Sequence, residues 1–384
     1  CGLCLAECPT YRLSADENES PRGRLAMIEA LVDGQLEARS VLHHLDTCLV
    51  CRRCERICPS GVPYGTIIDQ ARAITHQQGE PTWRRLLRNP RVQGFGTSLA
   101  QRSPMALSRP LSALHHLHRM ARALGPATAA PRPGFYAAGP GDRRGHVGLF
   151  TGCATRVQQG SALRAAITLL RSTGYDVTVP SPVCCGAMHA HAGDTNGAAV
   201  QAAASREAFP AGLDAIVSIA SGCGVQVDDF HPPLPAPHHD ICAFLVESGA
   251  LDASAFVPVA EPIALHVPCT VENVYRGGAW ARQLVELLQP DSFHVLESPG
   301  QCCGAAGDYL LRHPATADAL RAPLIAHLEQ RRPRYLLTSN IGCAMHLAIG
   351  LADSLPGCTV LHPVELLADR LAITATADDG RPLD

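Results

Sequence analysis

Four closely spaced cysteines near the start of the chain constrain its fold more than any other feature. They are Cys48, Cys51, Cys54 and Cys58. Their spacing is C-x2-C-x2-C-x3-C, and Pro59 follows the last of them directly. Three thiolates that are separated by two residues each can surround one face of a single inorganic centre. The fourth thiolate then points elsewhere, and the proline ends any helix at that point. This spacing predicts a second, matching set of cysteines.

The matching set lies at the first residues of the chain. Cys1, Cys4 and Cys8 read C-x2-C-x3-C and precede Pro9, which is the same run without its first cysteine. Two such runs are typical of a bacterial-type ferredoxin with two 4Fe-4S clusters, in which the fourth cysteine of each run ligates the other cluster. No initiator Met is present, so we expect that the chain has lost its true N-terminus.

This crossover predicts two sets of cluster ligands. The complete set is Cys8, Cys48, Cys51 and Cys54. The second set is Cys1, Cys4 and Cys58. It lacks a ligand that should lie three residues upstream of the first residue, so we expect the second cluster of this chain to be three-coordinate and labile.

Zinc and disulfide bonds are the alternative roles for these cysteines. A zinc ribbon uses two separated C-x2-C pairs, whereas two tandem runs that each end in Cys-Pro leave too many thiolates for zinc. Disulfides require an oxidising compartment. A chain of 384 residues that is 46% hydrophobic can bury its own core without them. We therefore expect the 17 cysteines to be reduced thiols in a cytoplasmic protein.

Composition excludes several classes of partner. The net charge is −3 and no basic block stands out, so we expect no nucleic acid to bind. No apolar stretch reaches the length that spans a membrane. A G-x-G-x-x-G dinucleotide motif is also absent from the sequence, which indicates that the chain carries no flavin-binding fold of that type.

A second cysteine pattern occurs twice after residue 145. The first thiol group is Cys153, Cys184, Cys185 and Cys223. The second thiol group is Cys269, Cys302, Cys303 and Cys343. Each group contains the tripeptide CCG. The distance from the first cysteine to the CCG is 31 positions in one copy and 33 in the other, and the distance onward to the last cysteine is 38 and 40. We interpret the copies as two CCG repeats.

Each repeat alternates β-branched apolar runs with helical stretches. The strands of the first repeat are predicted at HVGLF, YDVTVP and AIVSIAS, and those of the second at IALHV, FHVLES and YLLTS. Such alternation predicts a parallel sheet that is flanked by helices. The cysteines fall just beyond the carboxyl ends of these strands, where open α/β sheets collect ligands. We therefore predict that each thiol group converges on one metal or redox centre.

The sequence allows three chemical roles for the cysteines of the CCG repeats. Adjacent cysteines can bind different irons of one cluster, or they can form a vicinal disulfide with a redox use. A buried, inert pair is the third alternative, although the repetition disfavours it. Cys242 and Cys358 lie outside every motif and are interpreted as packing residues.

Several histidines lie near these motifs. A metal site is one interpretation of five of them, but we expect most to face solvent, because HPPLPAPHH is a proline-rich loop: His189, His191, His231, His238 and His239. His266 lies three residues before Cys269, so it either donates a hydrogen bond that tunes a nearby cluster or is an ordinary strand residue.

The segment PRGR contains two arginines, Arg22 and Arg24. They either balance the charge of a cluster or of partner carboxylates, or lie at a solvated helix start.

We divide the chain into four parts. These are a helical two-cluster 4Fe-4S ferredoxin-like domain (1–79), a Pro/Gly-rich helical connector (80–145), a first CCG repeat (146–260) and a second CCG repeat (261–384). The fold class is therefore α+β multidomain, with parallel sheets in the repeats. In the connector, a basic helix at Leu111 to Leu124 either lies on an anionic membrane surface or, as we prefer, packs between domains.

The wording of these motifs resembles a known family. The stretches CPTYRLSADENESPRGRLAMIEALVDG and HLDTCLVCRRCERICPSGVPYGTIIDQAR, together with NIGC and the two CCG repeats, resemble the glycolate oxidase iron-sulfur subunit of bacteria. The CCG repeats are also similar to those of heterodisulfide reductase subunits, but Gln226 and His346 stand where those repeats end in a fifth cysteine.

The resemblance implies a function. An FAD-containing glycolate oxidase subunit would oxidise glycolate to glyoxylate, and this chain would relay the electrons towards quinone or another membrane acceptor. It implies two 4Fe-4S clusters, with additional clusters in the CCG repeats as an open question. It also implies a chain inactive on glycolate alone, cytoplasmic or peripheral at the inner face of the membrane. The alternatives are the corresponding subunit of a glycerol-3-phosphate or D-lactate dehydrogenase, and a heterodisulfide-reductase-like thiol or cluster enzyme.

Overall fold

The computed structural model describes residues 1–75, 128–296 and 302–372, and the structural statements below refer to these residues. The predicted basic helix at Leu111 to Leu124 lies outside the described residues, as does most of the connector.

The N-terminal domain is helical. Its helices are α1 (Leu3–Glu7), α2 (Pro9–Ser14), α3 (Pro21–Val32), α4 (Ala38–Asp46), α5 (Arg53–Ile57) and α6 (Tyr64–Thr75), with a 3-10 turn at Glu17–Glu19. Helix α3 begins where the sequence favours a start: the Ser20 hydroxyl accepts a hydrogen bond from the Gly23 N–H, and Pro21 takes the first helical position. A small core of Val41, Leu45 and Ile68 holds helices α4 and α6 together.

The first CCG repeat is a five-stranded sheet with helices on it. Its strands are β1 (Gly134–Tyr136), β2 (Gly145–Phe150), β3 (Tyr175–Val179), β4 (Ala215–Ser218) and β5 (His238–Asp240). Their order is β1-β3-β2-β4-β5, and all neighbours are parallel except β1, which pairs antiparallel with β3. The helices are α7 (Ala154–Gln158), α8 (Gly160–Ser172), α9 (Ala187–Ala190), α10 (Thr195–Ala208), α11 (Ser221–Asp228) and α12 (Ile241–Glu247).

The second CCG repeat is a parallel four-stranded sheet. Its strands are β6 (Ile263–Leu265), β7 (Phe293–Val295), β8 (Tyr335–Leu337) and β9 (Thr359–Leu361), in the order β7-β6-β8-β9. A π-helix (Thr270–Tyr275) follows β6. The α-helices are α13 (Gly278–Glu286), α14 (Tyr309–Arg312), α15 (Pro314–Arg331), α16 (Ile341–Ser354) and α17 (Pro363–Asp369).

The predicted α+β architecture with two parallel-sheet repeats is confirmed. All six predicted strands are present. Strands β1, β5 and β9 were not predicted. Strand β1 lies before position 146, and β5 has the polar sequence HHD, which lacks the apolar run that indicates a buried strand.

The two repeats share one hydrophobic core. It includes Leu149 and Val217 from the first sheet and Leu265 and Leu337 from the second. At the carboxyl ends of the strands, the repeats are also joined by hydrogen bonds: the Ser221 N–H donates to the Ser339 carbonyl at 3.1 Å, and the Ser221 and Thr270 hydroxyls lie 2.7 Å apart. The two thiol groups therefore belong to repeats that pack together around one core.

Candidate metal centres

A pocket in the N-terminal domain collects four cysteines. They are Cys8, Cys48, Cys51 and Cys54. Cys8 and Cys54 are buried, and the other two are half-buried. We call this the cysteine pocket. Four thiols around one cavity are the donor set of a 4Fe-4S cluster, so the residues present fit that group. They are also the four cysteines that the spacing predicts for the complete cluster.

The loop that carries three of these cysteines has an unusual backbone. Val50 and Arg52, on either side of Cys51, have positive φ angles of 49° and 55°. A β-branched residue rarely adopts this conformation, because its side chain crowds the backbone. The conformation bends the chain so that Cys48, Cys51 and Cys54 all line the pocket. Such strain is typical of functional loops that bind a ligand.

The thiols of the cysteine pocket influence one another. Burial, together with the neighbouring thiols of Cys48 and Cys8, raises the pKa of Cys54. Burial and the thiol of Cys302 in the second repeat raise the pKa of Cys51. Buried thiols resist ionisation, and a bound metal is one agent that stabilises them together as thiolates.

Arg24 forms one wall of the cysteine pocket. Only 1% of its side chain is exposed. Its guanidinium donates to the carbonyl of His44 at 2.6 Å, to the carbonyl of Glu19 at 2.7 Å and to the carboxylate of Glu19 at 2.5 Å. Although burial opposes the charge, the nearby groups of Cys48, Tyr64, Cys8 and Glu19 leave the pKa of Arg24 raised. Arg24 is therefore a buried cation beside the thiols.

Arg22 behaves differently from Arg24. It is exposed, and it pairs with Glu17 at 2.6 Å on the surface. The sequence left the roles of the two arginines open. In the structure, Arg24 is the buried cation beside the thiols and Arg22 is a solvated residue at the start of α3.

The second predicted ligand set is more open. Cys1 is exposed, and Cys4 and Cys58 are half-buried. The pKa of Cys58 is lowered, because the backbone N–H groups of Val62, Ser60 and Gly61 donate to its sulfur. Burial raises the pKa of Cys4, and the neighbouring thiols of Cys58 and Cys8 raise it further. Cys4 and Cys58 therefore lie close enough to interact.

The first thiol group converges at the carboxyl ends of β2, β3 and β4. Hydrogen bonds link Cys153 to Cys184, Cys184 to Cys185, and Cys185 to Cys223. Because the thiols of Cys153 and Cys185 donate to its sulfur, the pKa of Cys184 is lowered to about 3. Thiolate is the form that binds metals, so Cys184 is prepared for ligation.

The second thiol group converges in the same way after β6, β7 and β8. Hydrogen bonds from Cys269 and Cys303 lower the pKa of Cys302. The Gly304 N–H also donates to the Cys302 sulfur at 3.4 Å, and the sulfurs of Cys303 and Cys343 are 3.0 Å apart. The predicted convergence of four thiols per repeat is therefore found in both copies.

His266 joins the second thiol group. A ring nitrogen of His266 and the sulfurs of Cys303 and Cys343 all lie within 4.8 Å of one another, and all three residues are buried. Burial lowers the pKa of His266 to about 4, which keeps its ring neutral. The sequence offered only a hydrogen-bonding role or a strand position for this residue.

The prediction that the loop histidines face solvent is wrong for two of them. His189 is 6% exposed, and its Nδ1 lies 2.7 Å from the carboxylate of Asp194. The side chain of His238 is buried between Asp228 and Ser218, at 2.8 and 2.9 Å. His231 is exposed, as expected. A Pro-rich composition indicates a loop, but it does not reveal partners that are distant in the sequence.

The cysteine pocket lies directly against the second thiol group. The Asn273 side-chain amide donates to the Cys51 carbonyl at 2.8 Å, and Arg56 forms an ion pair with Glu272. Cys51 also packs against the buried cluster that contains Leu49, Cys302 and Cys303. Two candidate centres are thus adjacent across this contact.

In the part of the chain that the structure describes, no helix has the length and apolar character needed to cross a membrane.

Comparisons with known proteins agree with these motifs. The family model of a 4Fe-4S dicluster domain matches residues 1–62, and that of a cysteine-rich domain matches residues 147–228 and 263–348. These matches indicate iron-sulfur clusters in the chain.

Three curated relatives cover almost all of this chain. The glycolate oxidase iron-sulfur subunit of Escherichia coli K12 is 31% identical, over 97% of this chain and 93% of the relative. The probable glycolate oxidase iron-sulfur subunit of Bacillus subtilis 168 is 29% identical, over 96% and 92%. A fumarate reductase (CoM/CoB) subunit of Methanothermobacter marburgensis is 24% identical, over 96% and 70%. By its motifs, its architecture and this similarity, the chain belongs to the family of glycolate oxidase iron-sulfur subunits.

Proposed function

We propose that this protein is the electron-transfer subunit of a glycolate-oxidising complex, in which it carries electrons from a flavoprotein towards quinone. The observation that carries this proposal is the direct contact between the cysteine pocket and the second thiol group. Two centres that lie side by side in a buried interior favour electron transfer from one to the other.

We assign the cluster ligands by geometry and spacing. Cys8, Cys48, Cys51 and Cys54 hold one 4Fe-4S cluster, and Cys1, Cys4 and Cys58 contribute to a second. The two thiol groups hold further iron-sulfur centres, which accounts for four thiols that converge in each repeat. When bound, such clusters supply one-electron redox chemistry.

The surrounding residues prepare the sites. Arg24 places a buried positive charge beside the thiolates of Cys8 and Cys48, which favours their ionised form. The backbone amides of the CPSGV turn do the same for Cys58. The aromatic ring of Tyr64 and the aliphatic side chain of Leu49 cover the cysteine pocket and limit access of water.

The order of the centres follows from the contacts. We propose that electrons enter at the N-terminal domain, cross to the second repeat where Cys51 packs against the cluster that contains Cys302, and leave through the CCG half. The hydrogen bond between the hydroxyls of Ser221 and Thr270 joins the second repeat to the first.

The partner supplies the chemistry on glycolate. Two of the relatives are named as glycolate oxidase iron-sulfur subunits, which implies an FAD-containing subunit that oxidises the substrate. We therefore propose that the isolated chain does not turn over glycolate. We propose that the protein is cytoplasmic. Because the proposed acceptor, quinone, lies in the membrane, we further propose that the protein docks peripherally at the inner face of the membrane.

We also retain the four-part division of the chain as a proposal. The matches to the cysteine-rich domain, at residues 147–228 and 263–348, fall inside the proposed repeats 146–260 and 261–384. The match to the dicluster domain falls inside 1–79.

A ligand substitution tests the assignment. We expect Cys54→Ser to lose about four irons per chain relative to the wild type, since one cluster needs four ligands. Cys358→Ser is the matched control, because this half-buried cysteine lies outside every motif. Iron and acid-labile sulfide are measured on anaerobically purified protein. Unchanged iron in Cys54→Ser, or an equal loss in Cys358→Ser, would contradict the assignment.

A further inference from the structure

One position next to the thiol groups carries different residues in the two CCG repeats. His266 lies three residues before Cys269, and Phe150 lies three residues before Cys153 at the corresponding place. Phe150 is buried and stacks on Phe209 with ring centroids 6.2 Å apart. The second repeat therefore offers a nitrogen donor at a point where the first repeat offers only an apolar ring.

The ring of His266 is held in one orientation. His266 directly follows β6, and its backbone N–H donates to the Leu337 carbonyl at 2.8 Å. Its Nδ1 lies 2.9 Å from the hydroxyl of Thr338, which is fully buried. Because Nδ1 is engaged in this way, Nε2 is the nitrogen that remains for the sulfurs of Cys303 and Cys343. A histidine whose other nitrogen is fixed by a hydrogen bond is the usual arrangement of a metal ligand.

A second histidine near the same thiols does not compete. His346 lies three residues after Cys343 and is fully buried. Its Nε2 is 3.1 Å from the Ala317 carbonyl, and its Nδ1 is 3.2 Å from the guanidinium of Arg321. Both of its nitrogens are therefore directed at other partners, and His266 is the residue that supplies nitrogen to the second thiol group.

We propose that His266 is a direct ligand, through Nε2, of the iron-sulfur centre in the second CCG repeat. This inference rests on the proposed function, since it requires a cluster at the second thiol group. The first repeat, with Phe150 in the same place, has no ligand at that position. Imidazole ligands raise the reduction potential of a cluster relative to thiolates alone. The second repeat thus becomes the more oxidising site beside the cysteine pocket, which favours electron flow in that direction.

The test uses protein labelled with ¹⁵N-histidine, reduced anaerobically and studied by pulsed EPR. We compare the wild type with His266→Cys and His266→Phe, where the second copies the residue of the first repeat. His146→Phe is the matched control, because His146 also makes a histidine-threonine contact, at 2.7 Å to the Thr178 hydroxyl, but on β2 at the end remote from Cys153. Iron, zinc and sulfide are measured on every sample.

We expect the wild type and His146→Phe to show a strong ¹⁵N coupling from a directly bound histidine. His266→Cys should keep its iron, lose this coupling and shift one reduction potential downwards. His266→Phe should lose the coupling together with part of the iron. Cys302→Ser shows how much iron the second thiol group holds. If Cys302→Ser loses iron but the wild type shows no histidine coupling, or if the coupling survives in His266→Cys, this inference is wrong while the proposed clusters stand. If Cys302→Ser keeps all the iron of the wild type, or zinc takes the place of iron, the proposed cluster at the second thiol group fails and the inference fails with it.

Discussion

Replacement of Arg24 by methionine should destabilise the N-terminal domain strongly. Methionine keeps most of the volume and the helical preference of the residue, but it removes every hydrogen bond of the guanidinium. The carboxylate of Glu19, which is 13% exposed, would then lose its buried cation and keep only Thr47 and His44 as partners. Removal of one partner from a buried ion pair costs about 3–5 kcal/mol.

This cost converts into a measurable shift. With a urea dependence of about 3 kcal/mol per molar, the loss lowers the midpoint of unfolding by about 1 M or more. The assay is an anaerobic urea titration that follows the visible absorbance of the clusters and the far-UV circular dichroism. We expect the absorbance of Arg24→Met to disappear at the lower midpoint, since the residue also borders the thiols of Cys8 and Cys48.

Arg22 supplies the control within the same helix. Its side chain is 57% exposed and that of its partner Glu17 is 45% exposed, so water screens the pair and it adds little to stability. We expect Arg22→Met to leave the midpoint of unfolding close to that of the wild type. In the double variant Arg24→Met with Glu19→Gln, the total cost should be smaller than the sum of the single costs, because no unpaired charge remains. Equal shifts in Arg22→Met and Arg24→Met would refute the argument.

Three further substitutions follow from particular contacts. Gly23→Ala would place a Cβ far inside van der Waals contact with the Glu17 carbonyl oxygen, so we expect a loss of at least about 1–3 kcal/mol by the same urea titration, and wild-type stability would contradict it. Asn273→Leu leaves the Cys51 carbonyl without its donor; it should keep the iron content but slow the reduction of the CCG half in stopped-flow experiments, and an unchanged rate would separate this contact from electron transfer. Burial raises the pKa of Asp240 to about 6, against about 3.9 in the unfolded chain, so the neutral form is favoured in the fold and stability falls as pH rises from about 4 to about 6, by at most about 3 kcal/mol. Asp240→Asn should lack this fall between the two pH values, and an identical pH profile for both proteins would rule the effect out.

The architecture could be predicted from the sequence because it repeats. Each strand-helix alternation occurs twice, and the CCG offsets agree within two positions, so the two copies support each other. The grouping of Cys8 with Cys48, Cys51 and Cys54 could also be predicted, because two matching runs imply that the last cysteine of one run lies beside the first three of the other.

Other features depend on contacts that spacing does not reveal. The burial of Arg24 requires the carbonyl of His44, which lies 20 positions away, and nothing local distinguishes it from Arg22. The orientation of His266 depends on Thr338, which directly follows β8 and lies 72 positions later. The hydrogen bond from Asn273 to Cys51, beside the second thiol group, joins residues 222 positions apart. Each of these features arises from packing between elements rather than from local pattern.

We propose that this chain receives electrons from a flavoprotein and holds them in its own clusters. The most direct test mixes the anaerobic, cluster-loaded protein with glycolate in the presence and absence of the flavoprotein subunit, followed by freeze-quench EPR. We expect the EPR signals of reduced clusters to form only when both glycolate and the flavoprotein are present. Reduction by glycolate with this chain alone, or no reduction with all three components together, would contradict it.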